Sequence, residues 1–312
     1  MMEEAYIAAG WPRQCVTVVP EPSWPLQQPG HAWLLLNGER IPLLADAIRP
    51  LSSPGEHHWV WRGTADEYGL PGYQAGPLLA RANPGLLAQF LDKWGPQQAG
   101  LILFAPSDSS ALVCALQRIG QLKAADGNTL AFQWQSLRKL EELGEALEQP
   151  YLRHLFSPVQ RMIWHSGLER DCWLQLAIED DPAFVQAETS PHALTSTDEA
   201  ALGGAAHAWF MRHARHQLSQ HLQTLGAQIE PVALHRQLAD YDKEASYCGF
   251  QLEDDRSYYM QLRLFFPEEP FVKDQAIYNL LLDTAIQGRQ RLMEINDRLL
   301  EISTPIQSRN AK

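Results

Sequence analysis

Apolar positions along the chain change their spacing near its middle. In the first part they come as short runs closed by Gly, Pro or Asn: Ala32 to Leu36 before Asn37-Gly38, Trp59 to Trp61, Gly76 to Leu79, and Gly100 to Ala105. Such runs between breakers read as strands. Trp59 to Leu79 reads as strand, Gly/Pro/Tyr-rich turn and second strand, because aromatic side chains suit a pleated, half-buried surface. Between the strands, apolar residues recur at helical spacing. Leu43, Leu44, Ala47 and Ile48 follow Pro42; Leu86, Leu87, Phe90, Leu91 and Trp94 follow Asn83-Pro84; Leu112, Leu116 and Ile119 follow Ser107 and Asp108. Asn83-Pro84 offers an N-cap and a proline at the first helical position. Asp126-Gly127 then turns the chain into a further strand, Thr129 to Trp134. This alternation of strand and helix predicts an α/β layer.

Beyond it the pattern becomes helical. Ser136 through Leu147 reads as a helix, and Met162 to Trp164 with Cys172 to Ile178 reads as a hairpin around Ser166-Gly167. Glu188 to Ser196, rich in Ser, Thr, Pro and Ala, reads as a linker. Ser196-x-x-Glu199 has capping-box spacing and starts a long helix. Pro231 starts another, ending near Gly249; Asp254 is placed to cap a third through Phe266; Pro267 and Pro270 break it; and Asp274 to Ile302 reads as one long final helix. The expected fold class is a mixed α/β N-terminal lobe, 1–165, followed by a hairpin and linker, 166–195, and a mainly α-helical C-terminal lobe, 196–312.

Charge narrows the partners. The 312 residues carry 37 acidic and 25 basic side chains, a net charge of -12. Up to His165 the net is -3 and after it -9. Such a balance repels phosphate backbones and anionic lipid, so neither nucleic acid nor membrane is expected as a partner. Met1-Met2-Glu3-Glu4 has acid where a secretory signal carries base, and no apolar run approaches the ~20 residues that span a bilayer. The expected location is cytoplasmic. Cys15, Cys114, Cys172 and Cys248 are dispersed without a C-x-x-C, which suits buried reduced thiols.

Candidate chemistry is sparse. His207, His213, His216 and His221 lie on one predicted helix, and His213 and His216, three apart, share a face that can serve a divalent metal. No carboxylate or thiolate completes the set at matching spacing. His57 and His58 point to opposite faces of a strand and so do not act together on one substrate. The acidic runs Glu179-Asp180-Asp181, Glu253-Asp254-Asp255 and Glu268-Glu269 sit at predicted helix starts or loops, where the helix dipole favours them. Neither a nucleophile elbow nor a phosphate-binding glycine loop is present. The absence of these motifs calls for no cofactor or metal and removes the common ways of recognising an enzyme; the alternative is a metal-assisted hydrolase on the His207–His221 face.

Several pieces in order carry a family resemblance. These are Ala32-Trp33-Leu34-Leu35-Leu36 with Gly38 and Pro42; Trp61-Arg62-Gly63-Thr64; Gly76-Pro77-Leu78-Leu79; Trp94; Leu101 to Phe104; Leu130 to Trp134 with Arg138 and Leu140; and Phe156-Ser157-Pro158. Over about 32–160 the chain resembles the adaptor, or effector-chaperone, family of bacterial type VI secretion systems (Tap/TEC proteins). It departs where the family's strand continues as Arg-aromatic-aromatic-Asp-Pro-Arg; Gln133, Trp134, Gln135, Ser136, Leu137 and Arg138 stand here, keeping an aromatic and the last Arg. The resemblance implies a non-catalytic protein that binds a toxic effector in the cytoplasm and helps place it on the VgrG spike. It makes Trp33, Trp61, Arg62, Gly63, Thr64, Gly76, Pro77, Arg138 and Pro158 structural signature residues. Tyr241, Tyr247, Tyr258 and Tyr259 in the helical half are candidate partner-binding residues, because Tyr offers an amphipathic anchor.

Overall fold

The computed structural model describes residues 15–26, 31–64, 67–68, 72–106, 108–119, 122–128, 136–168, 172–178, 193–226 and 229–303. The chain divides into two compact units, 1–209 and 210–312.

Among the described residues the first unit is built on one sheet of seven strands: β1 (Val16–Val19), β2 (His31–Asn37), β3 (His57–Trp59), β4 (Pro77–Arg81), β5 (Gly100–Ala105), β6 (Arg161–His165) and β7 (Trp173–Ala177). Their order is β1-β7-β6-β5-β2-β4-β3, with every neighbouring pair antiparallel. Short helices punctuate them: α1 (Leu44–Ile48), α2 (Pro84–Gln89, continued as a π turn through Trp94), α3 (Ser109–Ile119), α4 (Leu137–Ala146) and α5 (Gln149–Phe156). β4 and β5 flank β2 and run the same way, so α2 serves as the crossover between parallel strands held apart by a third.

Both faces of the central strands are covered, which is why Leu34, Leu35 and Leu36 are all buried in β2. Leu34, Leu36, Leu78, Ile102, Phe104 and Ile163 pack with Leu86, Leu87, Phe90 and Trp94 of α2. Trp33, Leu35, Leu79, Leu103, Trp164 and Leu176 face the other way, onto α3, α4, α5 and the start of a long helix, α6 (Ser196–Thr224). Asn83 caps α2 as expected: its Oδ1 accepts from Leu86 N–H at 2.9 Å and its side-chain amide donates to Leu51 O at 2.7 Å. Asp108 Oδ1 accepts from Ala111 N–H at 2.9 Å at the start of α3. The expected hairpin is present as β6 and β7, and it lies inside the sheet. The expected strand at Thr129 to Trp134, most of the linker at Glu188 to Ser196 and the Glu179-Asp180-Asp181 run lie outside the described residues.

The second unit holds the latter part of α6 with α7 (Pro231–Tyr247), α8 (Glu253–Phe265), α9 (Glu268–Lys273), α10 (Gln275–Leu282) and α11 (Gly288–Ser303). Phe210, Met211, Leu218, Leu222, Leu234, Leu238 and Met260 form one apolar cluster, and Phe250, Tyr259, Phe271, Ile277, Leu292, Ile295 and Leu299 form another.

Four expectations change. The capping box of α6 falls one residue earlier, at Thr195 and Asp198: Asp198 N–H donates to Thr195 Oγ1 (3.2 Å) and Thr195 N–H to Asp198 Oδ2 (2.8 Å), while Glu199 instead accepts from Ala125 N–H at 2.9 Å. Asp254 is not a cap, since Leu252 holds that position and all three acids of the run lie in the first turn of α8. The long final helix is two helices. Asp274 caps α10, and between α10 and α11 Asp283 Oδ1 accepts from Ala285 N–H at 3.0 Å in place of a helical bond. Finally, the division between units falls within α6 at 209/210 rather than at the linker. Ala201, Leu202, Ala205 and Trp209 pack on the sheet unit, so the first half of α6 belongs to it.

That division relocates the acid. Residues 166–209 carry eight acidic side chains and one basic one, whereas 210–312 carry 14 and 12, a net of -2. All ten Trp lie at or before Trp209. The helical unit is thus nearly neutral and free of Trp, and most of the acidic excess after His165 lies in 166–209.

Candidate functional site

Six of the nine signature residues, Trp61, Arg62, Gly63, Thr64, Gly76 and Pro77, lie in the β3–β4 hairpin. β3 is closed by Val60 N–H donating to Pro77 O at 2.9 Å, and the chain then coils so that Thr64 Oγ1 donates to Trp61 O at 2.6 Å. Gly63 holds φ 81°, a conformation that favours glycine, and its N–H reaches Glu67 Oε2 at 2.8 Å. The Trp61 ring lies against the backbone of Gly76, where a Cβ would stand 2.5 Å from Cε3, so only glycine admits the ring. Gln117 of α3 donates to Val60 O at 2.7 Å and to Arg62 O at 3.3 Å, tying the coil to the body. The Arg62 side chain is exposed and makes no hydrogen bond to any described residue. Trp33 is buried in β2, and Pro77 opens β4. Arg138 Nε donates to Glu142 Oε1 at 2.7 Å, and its guanidinium lies 4.2 Å from the Trp209 ring centroid, which fixes a helix contact within the sheet unit. Pro158 follows a cis peptide bond before β6.

The four tyrosines of the helical unit separate. Tyr259 is 2 % exposed, sits in the core and donates to Glu244 Oε2 at 3.1 Å; burial pushes its phenol far above the usual range. It offers no contact surface, a correction to its place among the partner-binding candidates. Tyr241 is half-buried, accepting from Gln237 Nε2 at 2.8 Å, with Arg263 over its ring. Tyr258 is half-buried beneath Arg289, 4.4 Å from its centroid. Tyr247 alone of the four is open to solvent, 86 % exposed, at the end of α7, and Leu252, 68 % exposed, follows in the same connection. Adjacent Tyr258 and Tyr259 share every feature of composition, and only the helix face separates their fates.

Residues 32–154 match the family described as a domain of unknown function, DUF4123. The match spans less than half of the chain and takes in all the signature residues except Pro158. No curated protein and no solved structure matches.

His216 Nε2 lies 2.9 Å from Gln220 Nε2 and the His221 ring is 4.8 Å from that of Phe265. Among the described residues no group of three or more His, Cys, Asp or Glu is arranged to hold a metal ion. His57 and His58 occupy adjacent positions of β3 opposite Ala80 and Leu79, so their side chains alternate. Cys172 and Cys248 are buried and Cys15 half-buried, but Cys114 is exposed, against the expectation of uniformly buried thiols. Among the described residues no helix is long and apolar enough to cross a membrane.

Proposed function

We propose that this protein is a non-catalytic adaptor that holds a type VI secretion effector in the cytoplasm and helps load it onto the VgrG spike. The observation that carries the reading is the match of residues 32–154 to DUF4123, a family associated with type VI secretion effector adaptors. The mechanism is stoichiometric binding: effector surface that would otherwise meet water is covered until delivery, and bound effector stabilises the complex by mass action. Tyr247 and Leu252 are the exposed apolar pair of the helical unit best suited to such a contact, one an aromatic anchor and the other an aliphatic neighbour.

Affinity capture of the full chain from the producing cell's cytoplasm, followed by mass spectrometry, tests the reading. A toxin-like protein together with a VgrG-type protein is the expected recovery. With the effector in hand, Tyr247→Ala lowers affinity about tenfold. Capture of neither partner, or the same capture by a chain lacking residues 32–154, overturns the proposal.

A further inference from the structure

Arg161, the first residue of β6, is half-buried on the sheet face that carries Ile102, Phe104, Ile163 and Trp173. Its guanidinium lies 4.0 Å from the Phe104 ring centroid, and Nη1 donates to Gln175 Oε1 at 3.2 Å. Nε is buried without an acceptor. Arg161 makes no ion pair with any described residue. Burial alone pulls its pKa down, with no carboxylate acting against that shift. Other arginines differ: Arg138, Arg256, Arg263 and Arg298 each meet a carboxylate, and buried Arg291 meets two helix-end carbonyls. A guanidinium does not shed its proton to escape burial, and one ring face with one amide leaves most of its five N–H donors uncommitted. An uncompensated, partly desolvated cation is costly unless an anion arrives.

The surroundings say which anion. By register, Thr17, Val19, Gln175 and Ala177 lie on the same face of β1 and β7. Thr17 and Ala177 are exposed, and Val19 and Gln175 half-exposed. Among the described residues this end of the sheet is an open, pleated surface of small and uncharged side chains around one cation, which suits an extended polypeptide. The net charge of -12 disfavours a polyanion such as nucleic acid. We propose that Arg161 is a receptor for a carboxylate side chain presented by an extended segment of another protein, seated on the β6–β7–β1 end of this face. The carboxylate takes the outer guanidinium nitrogens while Phe104 supports the plane from behind. This inference does not depend on the adaptor reading.

The test uses the full chain with arginine guanidinium groups labelled for NMR, titrated with Ac-Ala-Glu-Ala-NH2, with the matched Gln peptide and with inorganic phosphate. Arg161 resonances are assigned by their loss in Arg161→Lys. The Glu peptide shifts them saturably, the Gln peptide binds about tenfold or more weakly, and salt weakens the response. Gln175→Glu places a carboxylate beside Nη1 in cis; it raises the melting temperature and abolishes the response to the Glu peptide, and it remains informative if Arg161→Lys does not fold. An equal response to Glu and Gln peptides, no Arg161 shift with the Glu peptide, tighter binding of phosphate than of peptide, or an undiminished response in Gln175→Glu overturns the proposal.

Discussion

In the sheet unit the backbone N–H and C=O groups of seven strands satisfy one another across the ladder, and ion pairs such as Arg138–Glu142 and Lys139–Glu142 lie within a single helix. In the helical unit, beside pairs within one helix such as Lys273–Glu269, several charged side chains run between helices. Arg256 and Arg263 of α8 reach Asp242 and Glu244 of α7, Arg298 of α11 reaches the Asp274 cap of α10, and Arg291 of α11 donates to Cys248 O after α7 at 2.9 Å and to Leu281 O of α10 at 2.7 Å. The difference follows from the elements. Strands join by their backbones, whereas a helix keeps its hydrogen bonds to itself and leaves its last carbonyls open, so directional links between helices fall to side chains.

The largest expected effect breaks the helical side of this comparison. Arg291 is 2 % exposed and lies 4.2 Å from the Phe250 ring centroid, so Arg291→Met keeps volume but leaves two helix-end carbonyls without a donor. The cost is about 3 kcal/mol. Because every Trp lies in 1–209, Trp emission follows the sheet unit, while far-UV circular dichroism in urea also follows the helices. Arg291→Met moves the helical transition to lower urea and leaves the Trp transition in place; coincident loss of both would mean that the arginine supports the whole chain.

The next effect falls on the sheet side, where close backbone approach replaces side-chain linkage. Gly38 N–H donates to Gly76 O at 3.2 Å, and a Cβ at Gly38 would run into the Gln74 carbonyl oxygen and lie 2.8 Å from that of Gly76. Backbone cannot swing aside as a side chain does. Gly38→Ala costs about 2 kcal/mol and lowers the Trp transition, with the helical transition unmoved.

These cases also show what was legible beforehand. Asn83-Pro84, the strand at Ala32 to Leu36 and the β6–β7 hairpin could be read because neighbouring residues decide them. The break at 283–287 could not, since no Gly or Pro marks it before Gly288 and the arginine that takes up the Leu281 carbonyl stands ten residues away. Linkage over 43 residues, from Arg291 to Cys248, leaves no periodic trace. Nor do the ring and amide partners of Arg161, Phe104 and Gln175, which come from other strands. The signature hairpin was visible as a string of residue types; that Trp61 rests on Gly76 required the fold.

The smallest effect sharpens the contrast at a single cap. Asp274 Oδ1 accepts from Ala276 N–H at 2.9 Å and Ile277 N–H at 3.1 Å, and Oδ2 receives Arg298 at 3.2 Å. The N–H of Ile277 foremost, with Arg298 adding to it, holds this carboxyl below its ordinary pKa. A carboxyl lowered in the folded state contributes stability above its unfolded pKa and loses it as pH falls through the folded value, so α10 loosens below about pH 4. Asp274→Asn retains an N-cap acceptor but not the charge, and Asp274→Ala retains neither. At neutral pH, amide exchange in α10 is slowest in the native chain, faster in Asp274→Asn and fastest in Asp274→Ala. Between pH 5 and about 2 the native chain approaches the Asn variant, whose own acid dependence is flatter. An Asn variant with the native slope would shift the acid sensitivity to Glu230, which is lowered in the same direction by the N–H groups of Val232 and Ala233 at the start of α7, and would leave Arg298 as a helix link that works without its anion.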